Sequence, residues 1–114
     1  MVVAQGDVFW ADLPTPSGTE PGFRRPVVVV QGDALNRTTI RTVLCIPLTR
    51  NLRRGAAIGN VVLAAKATGL PSESVANVSQ IFPANRSALE DRVGHLDARD
   101  LERLLRGLDV ILGR

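Results

Sequence analysis

The apolar residues of this chain fall into short runs separated by turn residues, and each run predicts a strand. Residues 7–13 alternate imperfectly between apolar and polar, and residues 25–31 contain four consecutive valines. A run of β-branched residues is typical of a strand that is buried on both faces. Residues 41–48, apolar at their centre, predict a third strand. Further short strands are predicted over residues 59–64, 74–82 and 92–96.

The C-terminal stretch has a different period and predicts a helix. Asp97 is a favourable N-cap, Asp100 adds an acid to the first turn, and Gly113 ends the pattern. The apolar residues between them recur at helical spacing, which gives the helix one apolar face. They are Leu101, Leu104, Leu105, Leu108, Ile111 and Leu112. We expect this helix to pack on the strands or on a partner.

The segments between the strands are loops. Residues 14–23 carry three prolines and two glycines, residues 32–38 predict a turn or short helix, and residues 49–59 form a basic loop. Five or six short strands with one terminal helix predict a mainly β fold, a small closed or partly closed β-barrel. Closure or dimerisation would cover the edge strands of so small a sheet. The length predicts a single domain, residues 1–114.

Composition and charge narrow the class of protein. No apolar run approaches the roughly 20 residues of a membrane span, residues 1–6 show no secretory signal, and Cys45 is the only cysteine. We therefore expect a cytoplasmic protein without a membrane segment. The net charge of +3 rests on 13 Arg and one Lys, and Arg-rich basic domains bind polyanions. A genome rich in G and C would also favour Arg codons, so both explanations stay open.

Several classes of catalytic site are excluded by the residues that the chain lacks. His95 is the only histidine, so a site with two histidines is impossible, and no zinc-binding pattern is present. Asp7 and Asp12 are five residues apart on one strand and point to opposite faces, which makes a poor metal pair. Cys45 lies between two aliphatic residues in a strand and is expected in the core. We expect neither a metal nor another cofactor.

Polar residues stand at the ends of two predicted strands. Arg24 and Arg25 precede the valine run, and Thr49 follows the apolar run of residues 41–48. A strand buried on both faces excludes charge, so both arginines must lie at its end. The two strands would hold Arg25 and Thr49 on rigid supports. Taken alone, Arg25 is equally well explained as a solvated strand-end cation, and Thr49 is better explained as a β-forming residue that closes a strand.

Four blocks of sequence, in order, resemble the MazF/PemK family of toxin endoribonucleases. The first is G-D-V-F-W-A-D-L at residues 6–13, and the second is G-F-R-R-P-V-V-V-V-Q at residues 22–31. The third is I-P-L-T-R-N at residues 46–51, and the fourth is S-V-A-N-V-S-Q-I at residues 74–81. The blocks span most of the chain at the spacing that the family shows.

The resemblance implies an SH3-like barrel of the MazF/PemK/CcdB-like type, a homodimer paired with an antitoxin. Members of the family cut single-stranded RNA at short sequences without a metal, leaving a 2′,3′-cyclic phosphate and a 5′-hydroxyl. The catalytic Arg and Thr of the family fall on Arg25 and Thr49, and the acidic residue of its first loop falls on Glu20. The implied antitoxin is acidic, with a partly disordered tail.

The chemistry of RNA cleavage suits these residue types. The 2′-hydroxyl attacks phosphorus, and negative charge grows on the phosphate oxygens. Arg25 can donate two parallel hydrogen bonds to those oxygens, and Thr49 can donate a third. Glu20 is either the general base or a group that orients Arg25, and the base stays unassigned.

A second set of residues is predicted to bind the RNA. Its basic members neutralise phosphates and release counterions, and its polar members match family positions. The set is Arg24, Arg50, Asn51, Arg53, Arg54, Ser74 and Gln80. A solvated loop explains the arginines after Thr49 almost equally well.

The chain departs from the family pattern in the two loops that help to select the RNA sequence. Pro21, Phe23 and Arg24 stand where relatives often have a Gln, a Gly and a variable residue, and Gly32 stands where an Asn is usual. Two other functions compete with RNA cleavage. One is a non-enzymatic toxin of the CcdB type that poisons DNA gyrase, and the other is an RNA-binding module without cleavage. Arg25 and Thr49 favour the nuclease, because a gyrase poison does not need them.

Overall fold

The computed structural model describes residues 2–19 and 22–114 and contains strands, short helices and one long helix. The strands are β1 (Asp7–Leu13), β2 (Phe23–Val29), β3 (Thr42–Thr49), β4 (Val61–Leu63), β5 (Ser74–Ala76), β6 (Phe82–Asn85) and β7 (Leu89–His95). The helices are α1 (Asp33–Asn36), α2 (Ala65–Thr68) and α3 (Ala98–Leu112), with 3-10 turns at Leu52–Ala56, Val78–Gln80 and Arg86–Ala88. In the part of the chain described, every helix is too short or too polar to cross a membrane.

The strands form one curled antiparallel sheet. Its order is β4-β5-β3-β2-β1-β7, and β6 pairs with β3 beside this path. The register between β1 and β7 shifts twice, and such bulges bend a strand and increase its twist. The path ends at β4 and β7, so the sheet closes only in part, as a half-barrel. The prediction of a mainly β fold with a C-terminal helix is therefore confirmed.

Both faces of the central strands are covered, as the valine run predicts. Val28 and Ile46 belong to an apolar cluster on one face, which helix α3 joins through Leu104. Val27 and Val29 belong to a second cluster on the other face, with Phe9 and Cys45. Successive residues of a strand point to opposite faces, so one run of apolar residues supplies both clusters. Because β2 and β3 are packed on both faces, they hold the residues at their ends in fixed positions.

Helix α3 begins and ends where the sequence predicts. The Asp97 carboxylate accepts a hydrogen bond from the amide of Asp100 at 2.8 Å, and Gly113 ends the helix in the left-handed conformation, with φ 73°. Its backbone lies directly on the turn before β4. A Cβ at Gly107 would lie 2.3 Å from the carbonyl oxygen of Gly59, so only glycine fits there.

The predicted strand over residues 74–82 is wrong in part, because the chain makes an extra turn within it. β5 ends at Ala76, the amide of Asn77 donates to the carbonyl of Pro47 at 3.0 Å, and a 3-10 turn follows. β5 pairs with the end of β3 and β6 with its beginning. Between these two pairings, the segment that joins β5 to β6 is three residues longer than the stretch of β3 that it follows. The 3-10 turn accommodates these three extra residues. Periodicity alone does not reveal such an insertion.

Two other elements differ from the prediction. β7 begins at Leu89, before the predicted residues 92–96, because residues 90–92 are exposed and polar and show no alternation. Helix α2 has only four residues, too few to show a helical period. It ends at Gly69, where a Cβ would lie 2.0 Å from the carbonyl oxygen of Val93. This close contact packs α2 against β7.

Candidate active site at the ends of strands β2 and β3

Arg25 and Thr49 lie side by side at one end of the sheet. Val27 of β2 pairs with Pro47 of β3, and continuing this register by two residues places Arg25 opposite Thr49. Both residues are partly exposed, while Val27 and its neighbours further along β2 are buried. The two strands therefore bring these side chains together at the rim of a packed core, which is the placement that the sequence predicts.

The Arg25 guanidinium is held at one nitrogen. Its Nε donates to the carbonyl oxygen of Gly22 at 3.1 Å. Within residues 2–19 and 22–114, neither of its Nη groups makes a hydrogen bond or an ion pair with protein. Gly22 lies so close to the preceding loop that a Cβ would be 2.2 Å from Cδ of Pro16. Arg25 is thus oriented by the backbone, and the described part of the chain leaves its two Nη groups without a protein partner.

The Thr49 side chain is oriented in a similar way. Its Oγ1 accepts a hydrogen bond from the amide of Asn51 at 3.2 Å, a local turn that threonine commonly forms. A hydroxyl both accepts and donates, so the Thr49 proton stays available for an acceptor outside the turn. The site therefore offers Arg25 and Thr49 donors from adjacent strand ends.

Two recesses meet at Arg25 and Thr49. The Trp10 recess, of about 480 Å³, is also lined by Trp10, Arg24, Arg50, Leu70 and Ser74. The Phe23 recess, of about 710 Å³, is also lined by Pro16, Phe23, Asn51, Arg54 and Gln80. Both volumes are in the range of ordinary ligand sites, about 300–1,000 Å³. A chain-like ligand can therefore run from one recess to the other across the two strand ends.

Arg24 differs from Arg25 because its guanidinium already has protein partners. Nε contacts a carboxylate oxygen of Glu90 at 3.2 Å, and Nη2 contacts one of Asp91 at 3.1 Å. The guanidinium carbon also lies 4.8 Å from the centre of the Trp10 ring. Arg24 thus ties β2 to β7. To bind an RNA phosphate, it would first have to leave these two exposed carboxylates.

The predicted RNA-binding arginines after Thr49 are divided between the recesses. Arg50 lines the Trp10 recess and Arg54 the Phe23 recess, while Arg53 lines neither. Asn51 lines the Phe23 recess, and its side chain accepts from the amide of Arg53 at 3.3 Å. The loop therefore starts with a 3-10 turn capped by Asn51, and the exposed Arg53 and Arg54 lie on this turn.

Sequence reasoning missed Asn60, which ties this basic loop to the sheet. Its side-chain amide donates to the carbonyl of Arg54 at 2.9 Å and to the side chain of Asn77 at 3.2 Å. Its side-chain oxygen accepts from the amide of Val78 at 2.9 Å. The only signal in the sequence is an Asn after a Gly, which predicts a turn but does not reveal these distant partners.

The remaining candidates fall in different environments. Ser74 is buried, and its hydroxyl donates to the carbonyl of Ser72 at 3.5 Å at the wall of the Trp10 recess. Gln80 is half-buried at the end of a 3-10 turn in the Phe23 recess. Glu20, the candidate base, lies outside the described residues.

The residues set aside as nucleophile and acid lie away from the site. Cys45 is buried in the core, and burial raises the pKa of its thiol to about 12. His95 bonds through Nδ1 to the buried Asp7 carboxylate at 2.8 Å, a local partner as expected. Over residues 2–19 and 22–114, no group of three or more His, Cys, Asp or Glu side chains is placed to hold a metal ion.

Comparison with known proteins identifies the family to which this chain belongs. The chain belongs to the PemK-like, MazF-like toxin family of type II toxin–antitoxin systems, whose family model matches residues 4–112. It is 42% identical to the Endoribonuclease MazF6 of Mycobacterium tuberculosis over 98% of each chain.

Solved structures share the fold. The crystal structure of MazF from Deinococcus radiodurans matches with a TM-score of 0.82 at 23% identity, covering 100% of this chain and 99% of the other. A mycobacterial endoribonuclease in complex with its cognate antitoxin matches with a TM-score of 0.74 at 21% identity, covering 98% and 94%.

Proposed function

We propose that this chain is an endoribonuclease toxin that cuts single-stranded RNA at short sequences without a metal and so inhibits translation and growth. The observation that carries the proposal is the pair Arg25 and Thr49. Their oriented side chains keep donors available where two recesses meet. The name Endoribonuclease of a relative that is 42% identical over nearly the full length supports it. The activity is assigned to one domain, residues 1–114, acting in the cytoplasm.

The proposed mechanism places the scissile phosphate against Arg25 and Thr49. The 2′-oxygen forms a bond to phosphorus, the bond to the 5′-oxygen breaks, and the products are a 2′,3′-cyclic phosphate and a 5′-hydroxyl. Arg25 donates through its Nη groups to the phosphate oxygens, and Thr49 donates through its hydroxyl. The 2′-proton leaves to a base and the 5′-oxygen takes up a proton. Glu20 is proposed either as that base or as the group that orients Arg25.

The RNA strand is proposed to continue into both recesses. Arg50 would meet phosphates in one recess and Arg54 in the other, where Asn51 and Gln80 can also reach the RNA. Arg53 would act from outside by releasing counterions. Ser74 is buried, so its proposed contribution is confined to the wall of the Trp10 recess.

The decisive experiment incubates the purified protein with a randomised single-stranded RNA pool in EDTA. We expect cleavage at a short recurring sequence, with cyclic phosphate ends identified by mass spectrometry. The same RNA made with 2′-deoxyribose at the cleaved nucleotide should resist, because it lacks the attacking hydroxyl. Intact RNA after prolonged incubation, or cleavage of the deoxy substrate, would contradict the proposal.

We further propose that the toxin is a homodimer. The apolar residues Val110 and Leu112 near the end of α3 are exposed and support this, because a two-fold interface would cover such side chains. Light scattering should give twice the chain mass of 12.2 kDa at micromolar concentration. A stable monomer under those conditions would rule the homodimer out.

The proposed protein partner is an acidic antitoxin whose disordered tail orders over Arg25 and the basic loop after Thr49. The family name and the net charge of +3 support this partner. Binding should weaken as salt rises, because exposed charges are screened. An antitoxin footprint restricted to the solvent face of α3 would contradict the proposed tail.

A further inference from the structure

Phe23 has a backbone conformation that costs free energy. Its φ is +60°, and among the described residues it is the only non-glycine with positive φ. The Cβ of an L-residue is crowded in this conformation, which is a marked outlier for a bulky side chain. Glycine adopts it freely.

The need for this conformation comes from the backbone around Phe23. Its amide donates to the carbonyl of Pro14 at 3.4 Å, and Gly22 lies against Pro16. The turned chain also directs the carbonyl of Gly22 to Nε of Arg25. A glycine at position 23 would make the same turn without crowding. The backbone therefore explains the turn but not the phenyl ring.

Core packing does not explain the ring either. Phe23 is 60% exposed, whereas Phe9 on the neighbouring strand is 2% exposed. Water covers most of the Phe23 ring, so its burial contributes little to stability. A strained and exposed aromatic side chain at the rim of a recess points to a partner outside the chain.

The two recesses differ in whether their aromatic ring is already covered. Trp10, in one recess, has the Arg24 guanidinium 4.8 Å from its centre. Phe23, in the other, has no such cation within the described part of the chain. Cα atoms of residues two apart on a strand are roughly 7 Å apart, so Phe23 lies one nucleotide's reach from Arg25. Its exposed ring is free to stack on a base.

We propose that Phe23 stacks on the base adjacent to the scissile phosphate and thereby helps to set the cleaved sequence. The inference rests on the proposed function, because it needs an RNA phosphate held at Arg25. Stacking accepts any base but favours those with a large π-surface, so Phe23 selects by stacking strength. Losing a stacked base costs roughly tenfold to hundredfold in affinity.

Three substitutions separate the ring from the backbone. Phe23→Leu keeps an apolar side chain but no ring, Phe23→Tyr keeps the ring, and Phe23→Gly removes both the ring and the crowding. The substrate is the RNA sequence that the parent cleaves in a randomised pool. For binding measurements it carries 2′-deoxyribose at the cleaved nucleotide and 2-aminopurine beside it. Val2→Ala, at a distant and 88% exposed position, is the matched control.

We expect the parent and Phe23→Tyr to quench 2-aminopurine fluorescence, as a stacked base requires. Phe23→Leu and Phe23→Gly should lose the quenching and about tenfold or more in affinity. Their KM should rise more than their kcat falls, and their preference at the adjacent base should relax. Phe23→Gly should melt no lower than the parent, because it relieves the crowding. That pairing of retained stability with lost binding is not expected for a merely structural residue.

The proposal fails if Phe23→Leu keeps the parent's affinity, cleaved sequence and quenching. It also fails if the Phe23 variants change only binding of the antitoxin, since the ring would then be a protein contact. Failure of the proposed function looks different. The parent itself would leave the RNA pool intact, or Arg25→Ala would cut as fast as the parent.

Discussion

Charged side chains near the two ends of strand β1 differ in how many hydrogen bonds they make with the protein. At its start, the carboxylate of Asp7 is buried and every oxygen has a partner. Oδ1 contacts His95 at 2.8 Å and Arg92 at 3.6 Å, and Oδ2 accepts from the amide of Ala4 at 2.9 Å. At the other end, Arg25 is bonded to protein only through Nε in the described part of the chain. The Asp7 carboxylate thus has a protein partner at each oxygen, whereas the Arg25 Nη groups have none among the described residues.

The difference follows from solvation. A buried charge without partners costs several kcal/mol, so Asp7 must be fully bonded. A partly exposed guanidinium can leave donors to water at little cost, and a phosphate can later replace that water. Unfilled donors are therefore tolerable only at the rim, where a ligand can reach them. On this basis we assign a structural role to the Asp7 carboxylate and a catalytic role to the Arg25 guanidinium.

The largest expected effect is at Arg25. Arg25→Ala should lower single-turnover cleavage about 10²-fold or more, because it removes preorganised donors to the phosphate. Arg25→Lys should stay strongly impaired, since it keeps the charge but loses the fork. Arg24→Ala is the matched control. Arg24 is also predicted to bind RNA, but its guanidinium is paired with Glu90 and Asp91, so we expect a smaller loss, below about fivefold. Equal losses at Arg24 and Arg25 in folded variants would show that the unpaired donors of Arg25 have no special role.

Substitution of the fully bonded Asp7 should lower the stability of the fold. Asp7→Ala removes charge-assisted bonds to a buried carboxylate and should lower the free energy of unfolding by about 2 kcal/mol. The control is Asp91→Ala, whose side chain is 73% exposed and should cost less than about 0.5 kcal/mol. Urea denaturation at neutral pH measures both. If Asp7→Ala were no less stable than Asp91→Ala, the buried cluster would not be structural.

Thr49 tests how much one neutral donor contributes. Thr49→Ala should slow cleavage about tenfold, the scale of one neutral hydrogen bond, and less than Arg25→Ala. Thr49→Ser keeps the hydroxyl and should recover most of that loss. The readout is the single-turnover rate, with circular dichroism as the check of folding. A Thr49→Ser variant as slow as Thr49→Ala would assign the role to the methyl group instead.

Asp33 offers the smallest effect, and one that depends on pH. Its carboxylate accepts from the amide of Gln5 at 2.8 Å, and this bond is the main cause that lowers the Asp33 pKa below 3.8. A lowered folded-state pKa adds stability above the ordinary pKa, and this is lost as pH falls through the folded value. The parent should therefore exceed Asp33→Asn in stability at neutral pH, and the gap should narrow as pH falls below the ordinary carboxyl pKa of 3.8. A gap that widens in acid would contradict the assignment.

Local patterns predicted the framework of the site. The alternation over residues 7–13 gave β1 with its bounds, and the Asp97 cap with Gly113 gave α3. Both signals are contained in a few neighbouring residues. The meeting of Arg25 and Thr49 was also predictable, because each directly adjoins a buried run. Whether the two act in catalysis stays a prediction.

Partners from distant segments could not be predicted. Arg24 and Arg25 are adjacent and chemically alike, yet among residues 2–19 and 22–114 only Arg24 meets carboxylates, which β7 supplies. Nothing near Arg24 in the sequence indicates this pairing. The same holds for Asn60 and for the extra turn after Ala76, since each depends on which strands become neighbours. Sequence patterns located the strand ends, but only the sheet topology shows which donors remain unpaired.

The contact between Gly107 and Gly59 bears on how the molecule opens. With no side chain between the two backbones, α3 packs directly on the turn before β4. Asn60 follows Gly59 and bonds to the carbonyl of Arg54, so the basic loop is linked to the same turn. We therefore expect these segments to unfold locally as one cooperative unit, with amide hydrogens that exchange together. The basic loop is thus connected, through one asparagine, to the turn on which the C-terminal helix packs.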